Sequence, residues 1–410
     1  MKAFLARQPI FTQHKSILGY ELLCRTGPEN FFTGGNTSEA SVATVDDVFL
    51  FGLNRLTQGR LAFINSTREF LIHDYLTLLP RDLVVAEILE SVRPDPECLA
   101  ACRRLKLAGY RLALDDFVDI PGAQPFIELA DFIKVDFQVT SPPEIERLAK
   151  EFTRRKIDLI AERVETHEMF QRGVKLGYVY FQGYFFCRPQ MVERRDVPAH
   201  KMNCMQILQE VNREELDLKA IGQVIKREAS LAYRLLRYLN SPAFALRTDV
   251  RSIPHALSLL GESGVRKWVS LVTVAAMGED KPGELVMLPL VRARFCELLA
   301  PLAGMRANEN DLFLMGLLSA MDAILDMPLA KVLAEVPVNR EIKDALMGKA
   351  GPFRSVYEVV MNYEAGMWEE VSRAAAKLKI DEEKVPDLYM SALEWGKEIV
   401  AGNPVPVGAK

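Results

Sequence analysis

The chain has little of what marks nucleic-acid-binding, secreted or membrane proteins. Its 410 residues carry 51 Lys and Arg against 55 Asp and Glu, a formal net charge of −4, so no concentrated basic face for nucleic acid is expected. The longest apolar run, at residues 268–277, is too short to cross a bilayer, and residues 1–7 contain no signal-peptide core. These absences predict a cytoplasmic protein with no direct nucleic-acid or membrane partner.

Cysteine and histidine are also scarce. The sequence has six Cys and five His, and the one close cysteine pair, Cys98 and Cys102, lies on a predicted helix without a nearby His. Two buried small apolar residues are therefore favoured over a metal site at this position. In a reducing compartment no disulfide framework is expected.

The first half of the chain alternates short apolar runs with longer amphipathic stretches. Strands are predicted at residues 4–7, 18–23, 61–64, 83–88, 111–115, 132–135, 159–161 and 179–181. Helices are predicted between most of them, at 38–56, 96–107, 142–155 and 167–176. Repeated strand–helix units with apolar strands indicate a mostly parallel sheet covered by helices. Eight such strands within about 185 residues predict an α/β fold of the TIM-like (β/α)8 barrel type.

The first two strands form an exception to this order. The segment between them is too short for a helical crossover, and residues 13–16 are turn-like in composition. A hairpin is therefore expected, with the first strand antiparallel to the second.

Polar residues stand at the carboxyl ends of seven predicted strands. They are Glu21, Asn65, Glu87, Asp115 with Asp116, Lys134, Glu162 and Gln182. Taken alone, each has an ordinary interpretation, such as a surface charge, a helix cap or a turn residue. Because the carboxyl ends of barrel strands converge on one mouth, their joint placement predicts a shared cleft.

Such a cleft would hold about five carboxylates, one ammonium and two amides. Clustered carboxylates repel each other unless a counter-charge is present, and a hard divalent cation such as Mg²⁺, Mn²⁺ or Ca²⁺ prefers oxygen ligands. Paired metals about 4 Å apart suit hydrolysis of a phosphodiester. Lys134 would then orient the attacking water or hold a phosphate.

Residues 1 to about 190 resemble an EAL domain, the cyclic di-GMP phosphodiesterase family. The order of motifs carries this resemblance across the whole domain. The motifs are Gln8-Pro9-Ile10, Glu21-Leu22-Leu23 followed by Cys24-Arg25, Phe63-Ile64-Asn65-Ser66, Glu87-Ile88-Leu89-Glu90-Ser91, Asp115-Asp116-Phe117, Ile133-Lys134-Val135-Asp136, Ala161-Glu162-Arg163-Val164-Glu165 and Gln182-Gly183-Tyr184.

The resemblance implies a role for each motif residue in the hydrolysis of cyclic di-GMP to linear pGpG. The first metal would be ligated by Glu21, Asn65, Glu87 and Asp115, and the second by Asp116. Lys134 and Glu162 would handle the nucleophilic water, with Gln182 nearby; Arg25 would contact a substrate phosphate and Gln8 a guanine; Glu90, Asp136 and Glu165 would support the site. Mg²⁺ or Mn²⁺ is the implied cofactor, with Ca²⁺ as a ligand that does not support turnover.

Two departures from the family pattern bear on activity. After Asp116-Phe117 the family has Gly-Thr-Gly, whereas this chain has Val118-Asp119-Ile120 followed by Pro121, which restricts the backbone. In the family this loop links the metal site to the dimer contact. Arg163 replaces the usual Gly, and a long cation beside Glu162 is expected to pair with it and change its pKa. The ligand set favours an enzyme, and the loop favours weak activity or binding alone.

The second half is predicted to be an all-α domain at 202–400, after a polar linker at 191–201 and before a flexible tail at 401–410. It is similar to an HDOD domain, an output module related to HD-type phosphohydrolases, through residues 235–242 and 252–261. Ser319-Ala320 stands where HD enzymes place His-Asp, and His255 is the only histidine after His200. Because one histidine cannot build an HD metal site, this domain is expected to be non-catalytic.

Three functions remain open from the sequence. The first is a signalling protein whose barrel hydrolyses cyclic di-GMP and whose helical domain regulates it or contacts an unknown protein partner. The second is a silent cyclic di-GMP receptor or scaffold, and the third a barrel metalloenzyme acting on another phosphodiester. The resemblance also leaves room for a homodimer.

Overall fold

The structure is a computed structural model that describes residues 3–26, 52–117, 122–183, 199–213, 215–227, 250 and 252–402. Several sequence-based expectations lie outside these residues: the loop at 118–121, the linker at 191–198, the 235–242 motif and the tail beyond 402. The side chain of Arg25 is also outside the described part of the chain.

Eight strands close into a barrel in sequence order, which confirms the predicted fold class. The strands are β1 Ala3–Thr12, β2 Ile17–Thr26, β3 Leu61–Ser66, β4 Val84–Ile88, β5 Arg111–Leu114, β6 Phe132–Asp136, β7 Asp158–Glu162 and β8 Tyr180–Gln182. Strand β1 is antiparallel to both β2 and β8, and all other neighbours are parallel. The predicted hairpin is present, since residues 13–16 form the turn between β1 and β2.

Among the residues that the structure describes, six α-helices accompany the strands. They are α1 Leu53–Thr57, α2 Arg68–Ile72, α3 Pro96–Leu107, α4 Gln124–Ile127, α5 Pro142–Arg155 and α6 His167–Leu176. The bounds of α3, α5 and α6 are those predicted, and the prediction at 38–56 falls mostly outside the described residues. Local capping explains the agreement at α3: the Asp95 side chain accepts hydrogen bonds from the backbone N–H groups of Glu97 and Cys98, with Pro96 in the first turn.

An apolar layer fills the barrel interior. It consists of Ile10, Leu61, Phe63, Val85, Ala113, Phe132 and Ile160, with Leu18 and Tyr180 packed against it. The Phe63 and Phe132 rings meet edge to face with centroids 5.5 Å apart. This layer is a solid floor, so any ligand must bind at the end of the barrel above it.

The chain divides into two compact units. The barrel unit comprises residues 1–188 together with the distant segment Met361–Ser372, and the other unit comprises residues 189–360 and 373–410. In the described residues after the barrel, the α-helices are α7 Ala199–Val211, α8 Leu218–Arg227, α9 Ile253–Met277, α10 Gly283–Leu299, α11 Glu309–Leu318, α12 Met321–Leu325, α13 Leu329–Glu335, α14 Arg340–Leu346, α15 Pro352–Glu364, α16 Trp368–Leu378 and α17 Val385–Gly402. Helix α9 is kinked at Gly261, whose φ is 64°. In the described part of the chain no helix combines the length and apolarity that a bilayer crossing requires.

Candidate functional site

The strand-end residues lie on the same strand faces as the residues of the apolar floor, two positions further along each strand. Side chains two residues apart on a strand share a face, so a floor residue is followed by a polar residue above it. The pairs are Phe63 and Asn65, Val85 and Glu87, Ala113 and Asp115, Phe132 and Lys134, Ile160 and Glu162, and Tyr180 and Gln182. Strand β1 runs the opposite way, so Gln8 precedes Ile10 and lies opposite Glu21 in the β1–β2 register. The sequence period therefore builds a polar layer at one mouth.

Lys134 lies at the centre of this layer. Its side chain is 1% exposed, and its Nζ atom is 3.1 Å from Glu21 Oε2, 2.9 Å from Asp115 Oδ1 and 2.7 Å from Glu162 Oε1. It also forms an ion pair with Glu87, whose side chain is fully buried. We call these five residues the strand-end cluster. Four carboxylates thus share one ammonium, which leaves the cluster with an excess of negative charge.

Burial and mutual repulsion govern the ionisation of the cluster. Desolvation raises the pKa of Glu162 to about 8, although the Lys134 ammonium opposes this shift. Desolvation likewise raises the pKa of Glu87 well above its usual value, again opposed by Lys134. For Lys134, burial acts to lower the pKa, but the surrounding carboxylates outweigh it and raise the pKa well above its ordinary value. The ammonium therefore stays charged while carboxyl protons near it are exchangeable close to neutral pH.

Two amide side chains donate to Glu21, and a third is linked to it through one of them. Asn65 Nδ2 donates to Glu21 Oε1 at 3.4 Å, and Gln182 Nε2 donates to Glu21 Oε2 at 2.7 Å. The same Gln182 nitrogen donates to Gln8 Oε1 at 3.0 Å. These contacts connect β1, β2, β3 and β8 and hold the Glu21 carboxylate in one orientation.

The donor set fits a hard divalent cation. Five buried oxygens in this layer accept no hydrogen bond: Asn65 Oδ1, Glu87 Oε1 and Oε2, Glu162 Oε2 and Gln182 Oε1, of which Glu87 Oε1 forms the ion pair with Lys134. Buried oxygens without partners are costly in a folded protein, and carboxylate and amide oxygens are the ligands that Mg²⁺ and Mn²⁺ prefer. Within the described residues, no group of three or more His, Cys, Asp or Glu side chains is already arranged as a metal site. The Lys134 ammonium lies among the carboxylates of this layer.

Asp116 stands apart from the cluster. Its φ of 40° turns the chain out of β5, and its side chain is 40% exposed. Desolvation and the neighbouring Asp115 raise its pKa. A second cation held by Asp116 would therefore be more accessible to solvent than one held by the buried carboxylates.

Arg163 pairs with Asp136 and not with Glu162, which corrects the expectation from the sequence. Its Nη1 atom is 2.8 Å from Asp136 Oδ2, and its Nη2 atom is 3.9 Å from Asp116 Oδ2. The φ of Arg163 is 49°, so the backbone turns immediately after β7 and carries the side chain away from its neighbour. The raised pKa of Glu162 is caused by burial, and Arg163 acts on Asp116 instead.

The predicted supporting residues differ in their surroundings. Asp136 Oδ1 accepts hydrogen bonds from the backbone N–H groups of Gln138 at 2.6 Å and Val139 at 3.1 Å, and thereby shapes the turn after β6. Glu90 is exposed in the turn that follows β4. Glu165 is half-buried after β7.

The segment Met361–Ser372 reaches this site and was not predicted. Gln8 Nε2 donates to the backbone carbonyl of Ala365 at 3.2 Å, across 357 positions of sequence. The Tyr363 hydroxyl donates to the Leu5 carbonyl at 3.3 Å, and the Trp368 ring meets Phe4 with centroids 6.1 Å apart. No local pattern marks such a contact, because each of these residues also suits a helix that packs in its own domain.

Comparison with known families agrees with the motifs. The family model for the EAL domain matches residues 57–189, and that for the HDOD domain matches residues 197–336. Among solved structures, the manganese and cyclic di-GMP complex of Klebsiella pneumoniae BlrP1 has a TM-score of 0.39 and 23% identity, and covers 45% of this chain and 55% of that one.

Two curated relatives match nearly end to end. The uncharacterized protein YuxH of Bacillus subtilis is 31% identical over 404 residues, which is 96% of this chain and 98% of that protein. The cyclic di-GMP phosphodiesterase CdgJ of Vibrio cholerae is 32% identical over 406 residues, 97% of this chain and 93% of that protein. With both domain models matched in this order and relatives covering nearly its whole length, the chain belongs to the family of proteins in which an EAL domain is followed by an HDOD domain.

Proposed function

We propose that the barrel hydrolyses cyclic di-GMP to linear pGpG in a reaction that depends on a divalent cation. The observation that carries this proposal is the strand-end cluster, in which three buried carboxylates and the half-buried Asp115 share a single ammonium at the mouth of the barrel. The excess negative charge favours a bound cation, and the cation in turn attracts a phosphodiester. The name of the relative CdgJ supports cyclic di-GMP as the substrate.

The proposed ligands divide between two depths of the site. Glu21, Asn65, Glu87 and Asp115 would hold the first Mg²⁺ or Mn²⁺, and the more exposed Asp116 would hold a second. When bound, the metal supplies a water of lowered pKa and stabilises charge on the phosphate. Ca²⁺ fits the same oxygen donors, and we expect it to bind without turnover.

The reaction adds one water to one phosphodiester. The water oxygen forms a bond to phosphorus, the bond from phosphorus to the ribose 3′ oxygen breaks, and that oxygen leaves with a proton. Glu162, with its pKa raised to about 8, is suited to accept the proton of the water near neutral pH. Lys134 keeps its proton and would orient the water or the phosphate, with Gln182 beside it, while Gln8 and Arg25 would contact guanine and phosphate.

A receptor that binds cyclic di-GMP without turnover is the second candidate. Two contacts favour it: Lys134 already neutralises part of the cluster, and Arg163 places a cation 3.9 Å from Asp116, where the second metal would bind. A competing side-chain cation weakens the hold on a metal. In this case the nucleotide would bind and be released unchanged.

Turnover by the purified full-length chain separates the two candidates. Cyclic di-GMP is incubated with Mg²⁺ or Mn²⁺, pGpG is quantified, and bound metal is measured in the same sample. Glu21→Gln should remove turnover, whereas Glu128→Gln, at an exposed position of the barrel unit, should retain it. Tight nucleotide binding by the wild type without pGpG would establish the receptor, and turnover that survives Glu21→Gln would refute the metal assignment.

We propose a regulatory and non-catalytic role for the helical domain at 202–400. The Ser319 hydroxyl, at the position where HD enzymes place their His-Asp pair, donates to the Gly316 carbonyl at 2.7 Å within its own helix end. The domain would act through a protein partner or through a second copy of the chain. Gel filtration with light scattering, with and without cyclic di-GMP, tests the second arrangement directly.

A further inference from the structure

We propose that the turn at residues 365–367 is a control element that positions Glu21 of the strand-end cluster. The turn joins α15 to α16 and belongs to the barrel unit, while the chain on both sides of Met361–Ser372 belongs to the helical unit. Any rearrangement that pulls on these two helices is therefore transmitted to the turn by covalent connection. The inference rests on the proposed function in that Glu21 is taken as a metal ligand.

A continuous series of hydrogen bonds leads from the turn to the cluster. The Ala365 carbonyl accepts from Gln8 Nε2 at 3.2 Å, and Gln8 Oε1 accepts from Gln182 Nε2 at 3.0 Å. Gln182 Nε2 also donates to Glu21 Oε2 at 2.7 Å, and Lys134 Nζ donates to the same oxygen at 3.1 Å. The turn therefore fixes which way the Gln8 carboxamide faces. That orientation presents an acceptor to Gln182, and Gln182 in turn orients Glu21.

The turn is anchored by contacts on both sides of it. Tyr363 is fully buried and donates through its hydroxyl to the Leu5 carbonyl of β1 at 3.3 Å. The Trp368 ring contacts both Tyr363 and Phe4, with centroids 5.2 Å and 6.1 Å apart. Between these anchors, Ala365 and Met367 are only partly covered, and Met367 is 51% exposed. The contacts of the turn with the barrel thus include two aromatic anchors and a hydrogen bond from Gln8, and we expect the turn to be released without unfolding of the barrel.

Gly366 provides a substitution that releases the turn. Its φ is +68°, and a Cβ atom at this position would lie 2.6 Å from Leu23 Cδ1 on β2. Gly366→Ala should therefore push the turn away from β2. Gly304 is a matched control, because its φ is +70° and a Cβ atom there meets nothing within 4 Å. Both alanine variants place a Cβ atom at a positive φ of nearly the same size, and only the first brings that atom against the barrel.

The test measures the Mn²⁺ dissociation constant of the full-length protein by electron paramagnetic resonance. Groups that orient a metal ligand affect affinity strongly when removed, so Gly366→Ala should weaken Mn²⁺ binding by about fivefold or more while Gly304→Ala leaves it unchanged. Adding Leu23→Ala to Gly366→Ala removes the clash and should restore the affinity. In a Gln8→Leu background, Gly366→Ala should have no further effect, because the connection is already cut.

Equal dissociation constants for Gly366→Ala and Gly304→Ala would overturn the inference, and so would an undiminished effect of Gly366→Ala in the Gln8→Leu background. If the wild type binds no Mn²⁺, the proposed function fails and the inference is decided separately by hydrogen–deuterium exchange of the metal-free protein. Faster exchange in β1 and β2 of Gly366→Ala than of Gly304→Ala would support the inference, and equal exchange would refute it.

Discussion

Replacing Lys134 by methionine separates its electrostatic role from its role in turnover. The Lys134 side chain is 1% exposed and forms ion pairs with four carboxylates, of which Glu87 and Glu162 are almost completely buried. Methionine fills a similar volume without a charge, so these carboxylates lose their counter-charge. Removing one partner of a buried ion pair costs about 3–5 kcal/mol of folding free energy.

The expected change in melting temperature follows from this cost. For a domain of about 150–250 residues, 1 kcal/mol corresponds to about 2–4 °C, so the metal-free barrel transition should fall by roughly 6–20 °C. The fall should be smaller at pH 6 than at pH 8. Glu162, whose pKa is raised to about 8, takes up a proton at the lower pH and then no longer needs a counter-charge.

Manganese should reverse much of this loss. Mn²⁺ at about 100 times its dissociation constant adds about 2.7 kcal/mol of stability, and the variant should bind Mn²⁺ at least as tightly as the wild type because no ammonium competes for the carboxylates. Differential scanning calorimetry with and without Mn²⁺ measures both effects, and pGpG formation should be lost. Lys106→Met is the control, since Lys106 forms a half-exposed pair with Asp131 at 2.7 Å that contributes less than about 1 kcal/mol.

A metal-free Lys134→Met protein that melts within about 2 °C of the wild type would refute this reasoning, because the four ion pairs would then make no net contribution to the folding free energy. Mn²⁺ binding that is lost along with the lysine would refute the competition between ammonium and metal.

Three further predictions concern the pH dependence of metal binding, Arg163 and the loop sequence after Phe117. Mn²⁺ affinity, measured by titration calorimetry, should rise between pH 6 and pH 8 by up to about tenfold per pH unit for each proton that the metal displaces. Glu162→Gln should flatten this pH dependence, and a Mn²⁺ affinity of the wild type that does not change with pH would contradict the prediction. Arg163→Gly removes the cation near Asp116 and relieves a φ of +49°, so activity should rise while stability changes by less than about 1 kcal/mol; Arg163→Lys, which keeps a charge, should bring no such gain. Replacing Val118-Asp119-Ile120 by Gly-Thr-Gly should raise kcat if this loop limits activity, and an unchanged kcat would place the limitation elsewhere.

The barrel was predictable because its information is local. Each strand is a short apolar run, and its polar end residue follows a floor residue at the two-residue period of a strand, as in Phe132 and Lys134. Helix α3 starts where its Asp95 cap and Pro96 predict. Strand β1 extends beyond its predicted bounds of 4–7 and ends at Thr12. The prediction stopped at residue 7 because Gln8 and Pro9 interrupt the apolar run, but the residues beyond them still pair with β2.

The details of the site depend on three-dimensional geometry that no local pattern encodes. Which carboxylates share Lys134 depends on how far each strand end reaches into the mouth. Arg163 pairs with Asp136 because its own φ is positive, and a positive φ cannot be predicted from the presence of an arginine. The hydrogen bond between Gln8 and Ala365 links residues 357 positions apart, so it is visible only in the folded structure.

The position of bound manganese would show whether the strand-end cluster holds a divalent cation. Crystals of the full-length protein grown with Mn²⁺ and cyclic di-GMP can be examined by anomalous scattering at the manganese edge. We expect a manganese peak within bonding distance of Glu21, Asn65, Glu87 and Asp115, with a phosphate of the nucleotide beside it. Manganese bound elsewhere, or a nucleotide at the mouth with no metal and with Lys134 still among the carboxylates, would contradict this expectation.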